Sequence, residues 1–206
     1  MTLKTLVATT AVAAALATST QALAQGGAAA PAPIAQGPAI PGICVMSLDA
    51  AIGSSTVGKY VQTRLGQIST QVQSEVNGEQ TQIANDAKAI DAKRATLDQA
   101  TFDKQSADIQ LRANALNRKA QLRERELQAT QQKALGRIAQ ELDPVVRAAY
   151  QQAKCSILIS RDAVIVAPNP SMDITPAVIT GLNAKITQFT FDRERLDQPA
   201  PAAQTK

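Results

Sequence analysis

Apolar residues recur at helical intervals through the middle of this chain. Val57, Val61, Leu65, Ile68, Val72, Val76, Ile83, Ala87, Ile90 and Leu97 form a first stripe. With Glu79 and Arg94 filling its two gaps, eleven steps cover 40 residues, a mean spacing of about 3.64. This is helix period, nearer an eleven-residue repeat than a strict heptad, so little left-handed supercoiling is expected. A second stripe runs Phe102, Ile109, Ala113, Leu116, Ala120, Leu127, Ala134, Ile138, Leu142, Val145 and Ala149. Between residues 56 and 153 the composition is dominated by strong helix formers, with Pro144 the sole proline and glycines at 58, 66, 78 and 136. Two stripes joined near residues 97–101 predict an antiparallel pair, with Asp98 or Thr101 as N-cap of the second helix. Each arm would hold roughly 40 to 50 residues, about 60 to 75 Å at 1.5 Å per residue. The alternative is one unbroken coiled coil of about twice that length.

Strand-like runs appear only on either side of this region. ICVMSL at 43–48 precedes it; CSILI at 155–159 and AVIV at 163–166 follow, and SRD at 160–162 between them predicts a β-hairpin. A last helix is expected from Thr175-Pro176, with a hydroxyl N-cap and proline in the first turn, carrying Val178, Ile179, Leu182 and Ile186. The fold class is therefore α+β, mostly α: a long helical hairpin rising from a small β body. Three short strands and one helix are a marginal body for a single chain, and association with further copies would complete it.

The ends have a different character. Lys4, the apolar run from Leu6 to Leu16 and the small-x-small site Ala22-Leu23-Ala24 predict a cleaved secretory signal peptide over 1–24. Residues 25–41, QGGAAAPAPIAQGPAIP, read as a flexible Pro/Ala/Gly leader, and 187–206 as a partly disordered extension ending in QPAPAAQTK. Residues 42–55 would hold the first strand, 56–153 the hairpin, and 154–186 the β-hairpin and final helix.

Composition narrows the function. Hydrophobic residues make up 45% of the chain, but 39 of them are Ala and the aromatics are two Tyr and three Phe. So few large side chains favour an elongated or oligomeric molecule over a deep globular core. There is no His, which removes the commonest general base and metal ligand, and an enzyme is not expected. GSSTVG at 53–58 lacks the Lys-Ser/Thr ending of a phosphate loop. Two cysteines without His make neither a metal site nor a CxxC motif, so no cofactor is expected. In an exported chain Cys44 and Cys155 could pair, or stand as two reduced buried side chains.

Charge is divided between the arms. From Glu75 to Asp108 seven acids face four bases, net −3; from Arg112 to Arg137 seven bases face two acids, net +5. Antiparallel packing sets opposite signs side by side, and the excess on the second arm (Arg112, Arg118, Lys119, Arg123, Arg125) is a candidate basic surface. The chain's formal charge of +4 with scarce aromatics in an exported protein does not point to nucleic acid.

ICVMSLDAAI at 43–52, the long Gln/Ala/Lys-rich hairpin, and CSILISRDAVIVAPNPSMDITPAVITGLNAKI at 155–186 together resemble the OmpH/Skp family of periplasmic chaperones for outer-membrane proteins. The most specific part is the ending, with its Asp173-Ile174-Thr175 helix start. The resemblance implies a homotrimer in which three subunits share a β-barrel body, and hairpins that surround unfolded outer-membrane proteins without ATP. Distal aliphatic and aromatic residues, Ile83, Ile90, Leu97, Phe102, Ile109 and Leu116, are candidate client contacts; their ordinary role is the hairpin's own seam. Anionic lipid or lipopolysaccharide is a further partner that the family suggests, with no residue motif for it in this chain. The rival class is a structural or adaptor coiled coil of the cell envelope.

Overall fold

A computed structural model of the chain describes residues 36–166 and 168–197. The expected signal peptide and most of the leader, together with the tail from residue 198, lie outside the described residues. The order is β1 (Ile43–Met46), α1 (Leu48–Ser54), α2 (Thr56–Ala92), α3 (Gln99–Gln152), β2 (Ile157–Ser160) and α4 (Thr175–Lys185), with single 3-10 turns at Arg161–Ala163 and Pro170–Met172.

The two long helices lie against each other as a hairpin. They have 37 and 54 residues, about 55 and 80 Å of helix at 1.5 Å per residue. Their junction is built as the sequence predicts: α2 ends at Ala92, and the Asp98 carboxylate accepts the Thr101 N–H at 2.9 Å to start α3. α3 runs through Pro144 without interruption. Val57, Val61, Ile68 and Val72 of the first stripe and Ala134, Ile138, Leu142 and Ala149 of the second are buried, so the seam is tightest near the body.

The body is assembled by residues far apart in sequence. β1 and β2 pair in parallel, Ile43 opposite Ile157 through Met46 opposite Ser160, and the whole helical hairpin is the crossover between them. Ala163-Val164-Ile165-Val166, expected as the second strand of a β-hairpin, is not a strand. The Ser160 hydroxyl accepts the Asp162 N–H at 3.4 Å, the chain tightens into a 3-10 turn, and the other side of β1 is met by Asp173 through an isolated bridge at Val45. Residues 48–54, expected to belong with the first strand, form helix α1, capped by the Ser47 hydroxyl accepting the Ala50 N–H at 3.2 Å. α4 begins at Thr175, but Thr175 is not its cap. Its hydroxyl accepts the Ser47 N–H at 3.0 Å, and Asp173 Oδ1 accepts the Thr175 N–H at 2.8 Å.

Two close approaches fix how these pieces meet. Gly58, in the first turn of α2, lies so near the last turn of α1 that a Cβ there would stand 1.9 Å from the Ile52 carbonyl oxygen. Gly181 of α4 admits Val145 of α3 in the same way, with 2.7 Å left for a Cβ. Ala51, Val57, Ile138, Val178 and Leu182 fill the core between these helices. Cys44 and Cys155 are joined by a disulfide with Cα atoms 5.7 Å apart, tying β1 to the end of α3. Lys154 brings Cys155 into place through a left-handed turn, φ 54°.

Candidate functional site

Toward its tip the hairpin has little to bury. Ile83, Ile90, Leu97, Phe102 and Ile109 are only half-buried, and Leu116 alone among the six candidate apolar contacts is buried. Arg94 lies 4.7 Å from the Phe102 ring centroid and covers its face. Ile83 and Leu116 meet Arg112 and Lys119 along one open groove of about 350 Å³, whereas Ile90, Leu97, Phe102 and Ile109 lie beyond it. Leu111 stands on the outside at 66% exposure, too far from the seam to be counted by helical spacing.

The basic candidates divide into two groups. Arg112 pairs with Asp86 at 2.7 Å, Lys119 with Glu75 at 2.6 Å and with Glu79, and Arg123 with Glu75 at 3.2 Å and Glu126 at 2.9 Å. These three hold the arms together. Arg118 and Arg125 are exposed and make no ion pair among the described residues, so only they remain as free positive charge from that set.

The centre of the pairing is a carboxylate that the pattern of the sequence hid. Glu126 occupies a seam position of α3 and is fully buried; Arg123 and Arg193 are its cations, the latter at 3.2 Å. Glu75 faces it from α2 and takes Lys119, Arg123 and Arg193. The hydrogen bond from Lys119 is the largest influence on the Glu75 carboxyl; burial opposes it, and the hydrogen bonds of Arg123 and Arg193 and the charge of Arg123 add to it, so that the group is held at about 2. A buried carboxylate is tolerated because each oxygen is answered: Oε2 by the two guanidinium groups and Oε1 by the Leu196 N–H at 3.1 Å.

Arg193 and Leu196 belong to a segment after α4 that returns along the hairpin as an extended strap. Its side chains and its backbone are both held. Arg64 Nη2 reaches Asp192 at 2.6 Å and Arg64 Nε donates to the Phe191 carbonyl at 3.4 Å; Lys133 reaches Glu194 at 2.7 Å; the Glu194 N–H donates to Thr130 Oγ1 at 2.9 Å. Phe189 and Phe191, with ring centroids 5.4 Å apart, pack on the core from this side. The strap therefore touches α2 and α3 together. The alternation Phe189-Thr190-Phe191-Asp192-Arg193 was the one signal in the sequence that could have marked it.

Comparison with known proteins gives a consistent picture. A family model described as outer membrane protein (OmpH-like) matches residues 42–182. Among solved structures, the crystal structure of a candidate outer membrane chaperone (OmpH-like) from Caulobacter crescentus CB15 is 51% identical, with a TM-score of 0.77 over 80% of this chain and 97% of that one. Among curated proteins nothing matches. The family match ends within α4, before the strap.

Proposed function

The chain belongs to the family of OmpH-like outer membrane proteins, and from that premise we propose that it is a periplasmic, ATP-independent holdase that keeps unfolded outer-membrane proteins from aggregating. Family membership supports a chaperone role. The observation that carries the finer reading is the gradient along the hairpin: a seam buried near the body, then half-buried apolar residues from Ile83 to Ile109 toward the tip. Such a surface offers weak, adaptable contact to unfolded chains and asks for no nucleotide or catalytic group. Arg118 and Arg125 add positive charge beside it, which would hasten capture of acidic segments and make that capture sensitive to salt over a Debye length of about 8 Å. The same charges are the surface proposed to meet anionic lipid.

A homotrimer is part of the proposal. Two four-residue strands are not a self-sufficient sheet. β2 pairs only with β1 among the described residues, and Ile157 at 56% within it, with Val166 at 49% and the fully exposed Ile165 shortly after it, leave apolar surface uncovered. Burying them against two further copies gives the body a core of its own. The test is turbidity: a urea-unfolded outer-membrane β-barrel protein diluted into the mature chain, residues 25–206, without ATP. Suppression at about one trimer per client is expected; undiminished aggregation at severalfold excess would sink the holdase reading.

A further inference from the structure

The strap has the form of the molecules this protein is proposed to carry. Along residues 189–193 burial alternates: Phe189, Phe191 and Arg193 are half-buried, Thr190 and Asp192 exposed. That is the period of an extended strand, and the pattern of aromatic and polar residues in turn is the pattern of transmembrane β-strands with their aromatic girdles. The hairpin holds this segment in two ways. Side chains of α2 and α3 bond its backbone, through Arg64 on the Phe191 carbonyl, Thr130 on the Glu194 N–H and Glu126 on the Leu196 N–H. Backbone contacts of this kind are open to any extended peptide. The alternate side chains then enter fixed places: the two rings against the core, and Arg193 onto Glu75 and Glu126.

The strap does not fill its surroundings. On the α3 side it leaves a trough of about 710 Å³ walled by Thr130, Ala134, Gly136 and Gln140 with Phe189 and Phe191. On the α2 side a second opening of about 400 Å³ lies between Ile68, Gln71, Glu75 and the Asp192 and Arg193 of the strap. The segment lies in a groove wider than itself, held at its edges largely by ion pairs that are partly in solvent.

We propose that this groove between α2 and α3 is a binding site for an extended segment with aromatic residues at alternate positions followed two residues on by a basic one, and that the strap is its resident occupant, which a client strand of that pattern displaces. The identity of the incoming segment rests on the holdase reading above; the specificity of the groove does not. A short tether keeps the strap at an effective concentration on the order of 1 mM. Against a free peptide binding the empty groove at about 100 μM, that weakens apparent affinity about tenfold, so the strap would set a threshold that only multivalent clients pass.

The test uses a labelled peptide of residues 186–197, ITQFTFDRERLD, followed by fluorescence anisotropy against the mature chain and against a chain ending at Gln188. Circular dichroism and light scattering establish that the shortened chain keeps its helices and mass. Expected is binding to the shortened chain about tenfold tighter than to the full one, loss of binding for the isomer ITQTFFDRERLD, and displacement by an unfolded outer-membrane β-barrel protein. A folded shortened chain that ignores the peptide, binds both isomers alike, or holds the peptide against the client overturns the proposal. Should the shortened chain not fold, the full chain carrying Asp192→Ala and Glu194→Ala loosens the strap without altering the groove. It must bind the peptide more tightly than the unaltered chain, and equal binding overturns the proposal. Turbidity separates the two readings: alternation-dependent peptide binding in a protein that fails to keep the client soluble removes the holdase reading and leaves the groove's specificity standing.

Discussion

Three glycines of α2 lie in one helix yet answer to different forces, and the same substitution should move stability in opposite directions. At Gly66 and Gly78 an added methyl group would meet nothing within 4 Å, whereas at Gly58 the Ile52 carbonyl oxygen is 1.9 Å away and its carbon 2.8 Å. Alanine is favoured over glycine in a helix by about 1 kcal/mol, partly through the unfolded chain. Gly66→Ala and Gly78→Ala should each stabilise by about 0.5 to 1 kcal/mol. At Gly58 a carbon–oxygen contact of roughly 3.3 Å has to be restored, so α1 must retreat by more than an ångström. The Ile52 carbonyl accepts both the Ser55 N–H at 3.1 Å and the Ser55 hydroxyl at 2.6 Å, and neighbouring Ala51 and Val57 are fully buried. Overpacking costs about 1 to 3 kcal/mol and a weakened cap about 1 kcal/mol; after the propensity gain, Gly58→Ala should destabilise by about 2 kcal/mol. Urea unfolding followed at 222 nm, at one fixed protein concentration because association contributes, reads the difference. With a slope of about 2 kcal/mol per molar, the midpoint should fall by about 1 M for Gly58→Ala and rise by roughly 0.3 to 0.5 M for the other two. If Gly58→Ala is as stable as Gly66→Ala, the close packing of α1 on α2 is wrong and Gly58 is better understood as a point of bending.

Other perturbations have equally definite outcomes. Replacing both Cys44 and Cys155 by Ala opens a loop of 111 residues and should cost about 4 to 5 kcal/mol by chain entropy, read as a lower urea midpoint that reductant reproduces in the unaltered protein. Glu75 is held at about 2 against an ordinary value of 4.5, so its contribution is fully present above pH 4.5 and is lost as pH falls toward 2. Glu75→Gln should therefore flatten the decline of the urea midpoint between pH 4.5 and 2; an unchanged acid profile would place the acid sensitivity elsewhere. Glu126→Ala leaves Arg123 and Arg193 half without partners and removes the acceptor for the Leu196 N–H, so a loss of about 2 to 3 kcal/mol is expected, with hydrogen exchange rising in residues 189–197 ahead of the helices.

The helices were legible because their signal is local. The 3.6-residue spacing and the Asp98 cap are properties of neighbouring residues, and the hairpin they predict is the one observed. The body was less legible because its partners are distant. A four-residue apolar run reads the same whether its mate is parallel or antiparallel, and the mate of Ile43–Met46 lies beyond the entire hairpin at Ile157–Ser160. The run at 163–166 has strand composition, but Ser160 and the Asp173 bridge turn the chain aside before it can pair. Thr175 has the right residue type to cap α4 and spends its hydroxyl on Ser47 instead. Among the site residues, counting charges placed Lys119 and Arg123 on a surface. What sequence could not show was that Glu126, buried beside the stripe residue Leu127, and Glu75 would draw both into the seam, with Arg193 of the strap completing the set.

The most direct test of a trimeric holdase is the mass of the mature protein by light scattering, alone and after an unfolded outer-membrane β-barrel protein is diluted into it without nucleotide. Three chains in the free particle and a soluble complex heavier by one client are the predicted result. A monomer or dimer that leaves the client to precipitate would contradict it.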